Sequence, residues 1–263
     1  MCDENTVQDN ERVLGVTRRA FAGGALAAGV TMMLPKVANA LTITEQDVVV
    51  RTPDGEADCF FVAPSTGRHP GVLIWPDILG LRPAFRAMGR RLAESGYAVL
   101  VVNPYYRTAQ APVVAPGATF QDPVVREKLM GLAQTLSATT NVTDAQAFIA
   151  FLDAQGSVDT QRKVGTTGYC MGGPMTMRTA AALPERVGAG ASFHGGRLVT
   201  DGADSPHLLV PQMQAHYLFA IAENDDQREP DAKHVLRETF AAADLPAEIE
   251  VYEGALHGWC PPD

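Results

Sequence analysis

Gly168-Tyr169-Cys170-Met171-Gly172 sets a thiol between two glycines, where the apolar run Val164 to Tyr169 gives way to a helical pattern from Pro174. A side chain on so sharp a strand-to-helix turn needs small residues two positions before and two after, so that neighbouring chain can approach. Such a turn presents the thiol above the C-terminal edge of a sheet, at a helix N-terminus that favours negative charge. It also offers the Met171 N–H to an oxyanion. A packed core cysteine beside a glycine-rich helix start competes as a reading of these five residues alone.

The order of two further residue types favours chemistry. The acidic cluster Glu223-Asn224-Asp225-Asp226 follows the strand pattern ending at Ala222, and His257 follows the strand pattern ending at Tyr252. An acidic run is usually a solvated surface and a loop histidine is usually just exposed. A nucleophile, an acid and a histidine at successive strand ends, in that order, instead make a triad for covalent acyl transfer. Asp225 is preferred to Asp226 as its acid. Attack by the thiolate would give a thioester, whose hydrolysis is then the demanding step.

The loop Pro76-Asp77-Ile78-Leu79-Gly80 follows another buried strand pattern, in the place that supplies a second oxyanion donor, so the Ile78 N–H is the candidate beside that of Met171. Asp77 is a carboxylate directed toward the same cleft, or else a turn residue. His194 also ends a strand near the cleft and is read as lining it. His69, His207 and His234 read as solvated, Cys59 as a strand core residue and Cys260 as an exposed tail thiol. No ligand spacing matches a metal site and no glycine-rich phosphate loop follows a strand, so no cofactor is expected.

These residues need a sheet to hold them. Val48 to Val50 and Cys59 to Val62, split by Pro53-Asp54-Gly55, read as a hairpin. Strands follow at 71–75, 97–102, 164–169, 187–193, 217–222 and 247–252, with helical patterns at 83–95, 123–136, 142–154, 174–183 and 231–243. The alternation predicts one α/β domain: a mostly parallel sheet of about seven or eight strands with helices on both faces.

The 263 residues are 46% hydrophobic and 19% charged, enough apolar surface for an enclosed core. A net charge of −9 argues against a nucleic-acid partner. Thr17-Arg18-Arg19-Ala20-Phe21, the apolar run Ala22 to Leu34 and Ala38-Asn39-Ala40 read as an export signal of the twin-arginine kind. That run is too short to cross a membrane. The expectation is therefore a signal over 1–40 handed to the twin-arginine machinery, a domain over 41–263, and a periplasmic or secreted protein with no stable membrane insertion. Loss of Cys2 with the signal would leave three cysteines, at least one of them free or paired to another molecule.

The cysteine elbow, the Cys170–Asp225–His257 order, the acid in the oxyanion loop and Pro104-Tyr105-Tyr106-Arg107 together resemble the dienelactone hydrolases, from about Val48 to His257. The resemblance implies the α/β-hydrolase fold and cleavage of an enol-lactone or small carboxylic ester, by a monomer or dimer. It implies Cys170 as nucleophile, His257 as base and acid, Asp225 orienting it, Ile78 with Met171 as oxyanion hole, and Arg107 holding a substrate carboxylate. It also implies that Asp77 pairs with the thiol, although the family residue is typically the longer Glu. The family's second arginine, shortly after the histidine, has no counterpart. Only six residues follow His257, so the domain is expected to lack the fold's closing helix and to leave apolar sheet face exposed. A broad carboxylesterase on the same triad and a non-catalytic module binding an acidic ligand are the alternatives.

Overall fold

A computed structural model describes residues 41–263; the expected export signal lies outside the described residues. Eight strands form one sheet: β1 (Ile43–Thr52), β2 (Gly55–Pro64), β3 (Gly71–Trp75), β4 (Ala98–Val102), β5 (Val164–Tyr169), β6 (Val187–Phe193), β7 (His216–Ala222) and β8 (Ala247–Tyr252). Their spatial order is β1-β2-β4-β3-β5-β6-β7-β8. The hairpin β1–β2 and the β2–β4 pair are antiparallel, and every other neighbouring pair is parallel.

The central strands β3 (GVLIW) and β4 (AVLVV) are buried at every position, as continuous apolar runs must be when both sheet faces are covered. Alternate side chains feed two cores. Phe60, Val62, Ile74, Val99 and Val101 pack with Phe85 of α1 (Pro83–Glu94). Cys59, Phe61, Leu73, Trp75 and Leu100 pack with Phe148, Ile149 and Leu152 of α3 (Ala138–Asp153). A third cluster joins Met177 and Ala180 of α4 (Gly172–Ala182) and Leu236 and Phe240 of α6 (Ala232–Ala242) to Tyr217 and Phe219 on β7.

Local chemistry sets the helix ends. Pro83 and Pro123 occupy first-turn positions where no N–H is needed, and Asp122 caps α2 (Pro123–Ala133) by accepting from Val124 N at 2.8 Å. Ser137 and Thr140 cap α3 reciprocally, which starts it four residues earlier than the pattern alone suggests. Two elements were not expected: the short α5 (Glu223–Arg228) and a 3-10 helix at Pro206–Gln212.

The face of β6–β8 turned away from α6 is half-exposed, and it is more polar than expected. Ala189, His216, Glu248 and Glu250 are open to solvent there beside half-buried Ala191 and Leu218. The strand residues themselves are chosen for water, so little apolar face is left bare.

Candidate active site

Cys170 sits between β5 and α4 with φ of 54°, a left-handed conformation unusual for a side chain with a Cβ. The surrounding glycines make it possible. A Cβ on Gly168 would fall on the Gly172 carbonyl, and one on Gly172 would fall on the Trp75 carbonyl. Cys170 N donates to Phe193 O at 3.1 Å, tying the turn to the end of β6.

His257 lies in the loop after β8 and is 6% exposed. Its Nδ1 is 2.7 Å from Asp225 Oδ2, and its backbone N donates to Asn224 Oδ1 at 2.9 Å. Glu223 extends the stitching, accepting from Gly254 N at 2.6 Å while its own N donates to Ala255 O. The acid is therefore held by the first turns of α5 rather than by a loop. Burial opposes a charge on His257, yet the Asp225 hydrogen bond and the Cys170 thiol outweigh it and raise its pKa to about 9. Cys170, His257 and Asp225 are thus brought together in one chain of contacts. Asp226 is turned to Lys233 at 2.6 Å.

Among the described residues, neither the Ile78 nor the Met171 backbone N–H is taken by a protein acceptor. One side chain braces both: the buried Tyr105 hydroxyl donates to Ile78 O at 2.9 Å, with Met171 Sδ at 3.2 Å. Asn224 and Tyr105 were missed as site residues. Asn224 sat unremarked within the acidic cluster, and Tyr105 within the Pro-Tyr-Tyr-Arg segment.

Five expected placements differ. Asp77 is turned away from the thiol, in a bidentate pair with Arg82 (2.7 and 2.9 Å) and accepting from Leu79 N. Its short side chain is used up inside its own loop, and Arg82 reaches on to Asp263 at 2.9 Å. Arg107 does not face the cleft with free donors. It joins Asp144 of α3 and Asp54 of the hairpin turn, each at 2.6 Å, and lies over the Tyr106 ring. Cys260 is no exposed tail thiol; it packs against the Phe85–Tyr169 core, and burial raises its pKa to about 12. His194 is fully buried instead of lining open space, with its ring against those of His257 (4.9 Å) and Trp259 (5.2 Å). His69 is also less solvated than read: its ring bridges Gly96 O and Thr66 O. Cys59, Cys170 and Cys260 are all free thiols.

A cleft of about 230 Å³ opens beside Met171, along the first two turns of α4. Arg178 and Arg197 line it, and neither forms an ion pair among the described residues. Sequence reasoning passed over both.

The family model for the dienelactone hydrolase family matches residues 57–263. A carboxymethylenebutenolidase of Rhodococcus opacus is 26% identical over 215 residues, covering 80% of this chain and 78% of that protein. One from Pseudomonas putida is 26% identical over 197 residues, covering 75% and 78%. The solved structure of a dienelactone hydrolase-like promiscuous phosphotriesterase from metagenomic libraries superposes with a TM-score of 0.65 at 22% identity, covering 82% of this chain and 84% of that one. At that identity the structural likeness speaks for the fold, an α/β-hydrolase sheet.

Proposed function

Because the chain belongs to the dienelactone hydrolase family, we propose that it opens an enol-lactone, or a related ester of a small carboxylic acid, through a Cys170–His257–Asp225 triad. Membership makes it a hydrolase of the ester- or lactone-cleaving type. The observation that carries the finer reading is the strained thiol at φ 54° within reach of a histidine whose other nitrogen is fixed on Asp225 at 2.7 Å.

The thiol gives its proton to His257 Nε2, and sulfur attacks the carbonyl carbon. The carbonyl electron pair moves onto oxygen, which the Ile78 and Met171 N–H groups receive at roughly 3 kcal/mol per donor. Collapse breaks the bond to the enol oxygen, which takes the proton from His257 and leaves a thioester on Cys170. Water then loses a proton to His257 and attacks the thioester carbon. Sulfur departs, recovers the proton, and the acid product is released.

His257 must hold a proton in the first half and accept one in the second. The thiolate beside it helps raise its pKa to about 9. Acylation removes that charge, so the same imidazole becomes easier to deprotonate when water arrives. Asp225 fixes the tautomer that leaves Nε2 facing the sulfur.

The twin-arginine signal is proposed to place this chemistry in the periplasm or outside the cell; fractionation of cells carrying Arg18→Lys/Arg19→Lys is expected to retain the protein in the cytoplasm. The catalytic reading is tested with Cys170→Ala on an enol-lactone and on neutral aryl esters. Loss of turnover on all of them with an unchanged melting temperature is expected. Retained turnover would overturn the assignment of the nucleophile.

A further inference from the structure

The loop after β3 leaves one N–H open by occupying those around it. Asp77 O accepts from Gly80 N and Asp77 Oδ1 accepts from Leu79 N, both at 2.9 Å, while Ile78 N meets no protein acceptor among the described residues. In a trans peptide the C=O and N–H point opposite ways, so tying the Asp77 carbonyl to Gly80 N fixes the direction of the Ile78 N–H. The next peptide plane is tied from outside the loop, where the Tyr105 hydroxyl donates to Ile78 O at 2.9 Å. Both planes that meet at Ile78 are thus held by their carbonyls, one locally and one by Tyr105.

Tyr105 is itself firmly placed. It is fully buried just beyond β4, and its backbone N donates to Asn103 Oδ1 at 3.0 Å. Asn103 Nδ2 donates in turn to Asp58 Oδ1 on β2 at 2.8 Å. The Tyr105 ring clusters with Val113 and Leu129, and Ile78, Leu79 and Met171 pack against them, so one apolar cluster joins the loop to the cysteine turn. A Cβ on Gly80 would meet that ring at 3.4 Å. The start of the loop also lies on the turn, since a Cβ on Gly172 would fall on the Trp75 and Pro76 carbonyls. Burial, then the negative charges of Asp77 and Cys170, keep the hydroxyl protonated, as a donor to a carbonyl must be.

We propose that Tyr105 is a positioning residue for acyl transfer: by fixing the Ile78 carbonyl, its hydroxyl holds the Ile78 N–H where negative charge develops on the substrate oxygen. This role rests on the catalytic reading above. An oxyanion donor lowers the barrier only if it is set before the charge appears. Loss of the hydroxyl frees the Ile78–Leu79 peptide to turn, which slows the chemical step and leaves substrate binding and thiolate formation alone.

The test compares Tyr105→Phe with Tyr106→Phe. The control removes a hydroxyl one residue away, bonded to Asp144 Oδ1 and Thr52 Oγ1 at 2.7 Å each. Tyr105→Phe is expected to lower kcat on 4-nitrophenyl butyrate roughly tenfold to a hundredfold, with KM within about twofold. Its affinity for an alkyl trifluoromethyl ketone should fall by a similar factor. There sulfur adds to the carbonyl carbon and the electron pair moves onto oxygen with nothing leaving, so the oxyanion is trapped in place. Alkylation of Cys170 by iodoacetamide, in which the thiolate displaces iodide from carbon and no oxyanion forms, should stay within about twofold. Tyr106→Phe should keep kcat and both Cys170 reactions within about twofold, whatever its melting temperature. An unchanged kcat in Tyr105→Phe, or a loss matched by equally slow alkylation or by unaltered ketone binding, would overturn the role. Should the wild type hydrolyse neither the butyrate nor an enol-lactone, the catalytic reading fails separately, and the ketone decides this one by intact-mass spectrometry. An adduct on Cys170 of the wild type that Tyr105→Phe weakens supports the role; no adduct, or equal adducts, rejects it.

Discussion

The ring of His194 stands edge-on to that of His257, with centroids 4.9 Å apart and planes at 65°. Among the described residues neither nitrogen of His194 has a partner, and burial, followed by the His257 charge, pushes its pKa well below 6.5. The pKa values of two touching imidazoles are thereby pushed apart, down for His194 and up for His257. His194 packs against the His257 ring while burial disfavours its own protonation.

That pairing predicts how stability responds to pH. The folded pKa of His257 is raised from 6.5 to about 9, so its contribution is full below pH 6.5 and lost as pH rises through about 9. The folded pKa of His194 is depressed, so its penalty is absent above pH 6.5 and grows as pH falls below it. His257→Gln should remove about 3 kcal/mol of the decline between pH 6.5 and 9. His194→Phe keeps a ring in place and should flatten the acid limb. Urea unfolding from pH 5 to 9 checks both, and unchanged limbs in the variants would contradict the assignments.

The two neighbouring acids should behave differently. Asp225 touches His257, whereas Asp226 is paired with Lys233. Asp225→Asn is expected to lower kcat by roughly a thousandfold or more, by freeing the imidazole to take the wrong tautomer. Asp226→Asn should leave kcat within about twofold. Steady-state kinetics of both variants on one ester make the comparison.

Arg107 is predicted to matter for folding rather than binding. Asp144 is 2% exposed and takes two bonds from Arg107, at 2.8 and 2.6 Å. Arg107→Gln strands that carboxylate and should cost about 3 kcal/mol of stability. KM for an anionic ester should stay unchanged in the folded fraction. A raised KM with normal stability would return Arg107 to the substrate.

The elbow itself makes a fourth prediction. Gly168→Ala would drive a Cβ into the Gly172 carbonyl, and backbone has nowhere to yield there. Such overpacking should cost about 3 kcal/mol and displace the thiol, so melting temperature and kcat fall together. A variant with wild-type melting would show that the turn relaxes more easily than its geometry indicates.

Much of this architecture was legible in the sequence because its signals are local. The apolar runs of β3 and β4, the two glycines around Cys170 and the order of acid and histidine each constrain a few adjacent residues. The placements that differed depend on long-range partners. Arg107 meets Asp54 and Asp144 from two other elements, Asp77 meets Arg82, and Cys260 folds back onto the Phe85–Tyr169 core. No spacing rule announces such pairs. Arg178 is an intermediate case: its i+7 spacing from Met171 was readable, but that it forms no ion pair among the described residues becomes visible only in three dimensions.

Hydrolysis is predicted to pass through a thioester on Cys170. Rapid-quench intact-mass spectrometry during turnover of an enol-lactone tests it most directly. The expected result is a mass increase equal to the acyl group, located on the peptide containing Cys170, formed and lost at rates consistent with kcat and absent in Cys170→Ala. Full-rate turnover by the Cys170→Ala protein, or an adduct on another residue that decays at kcat, would contradict it.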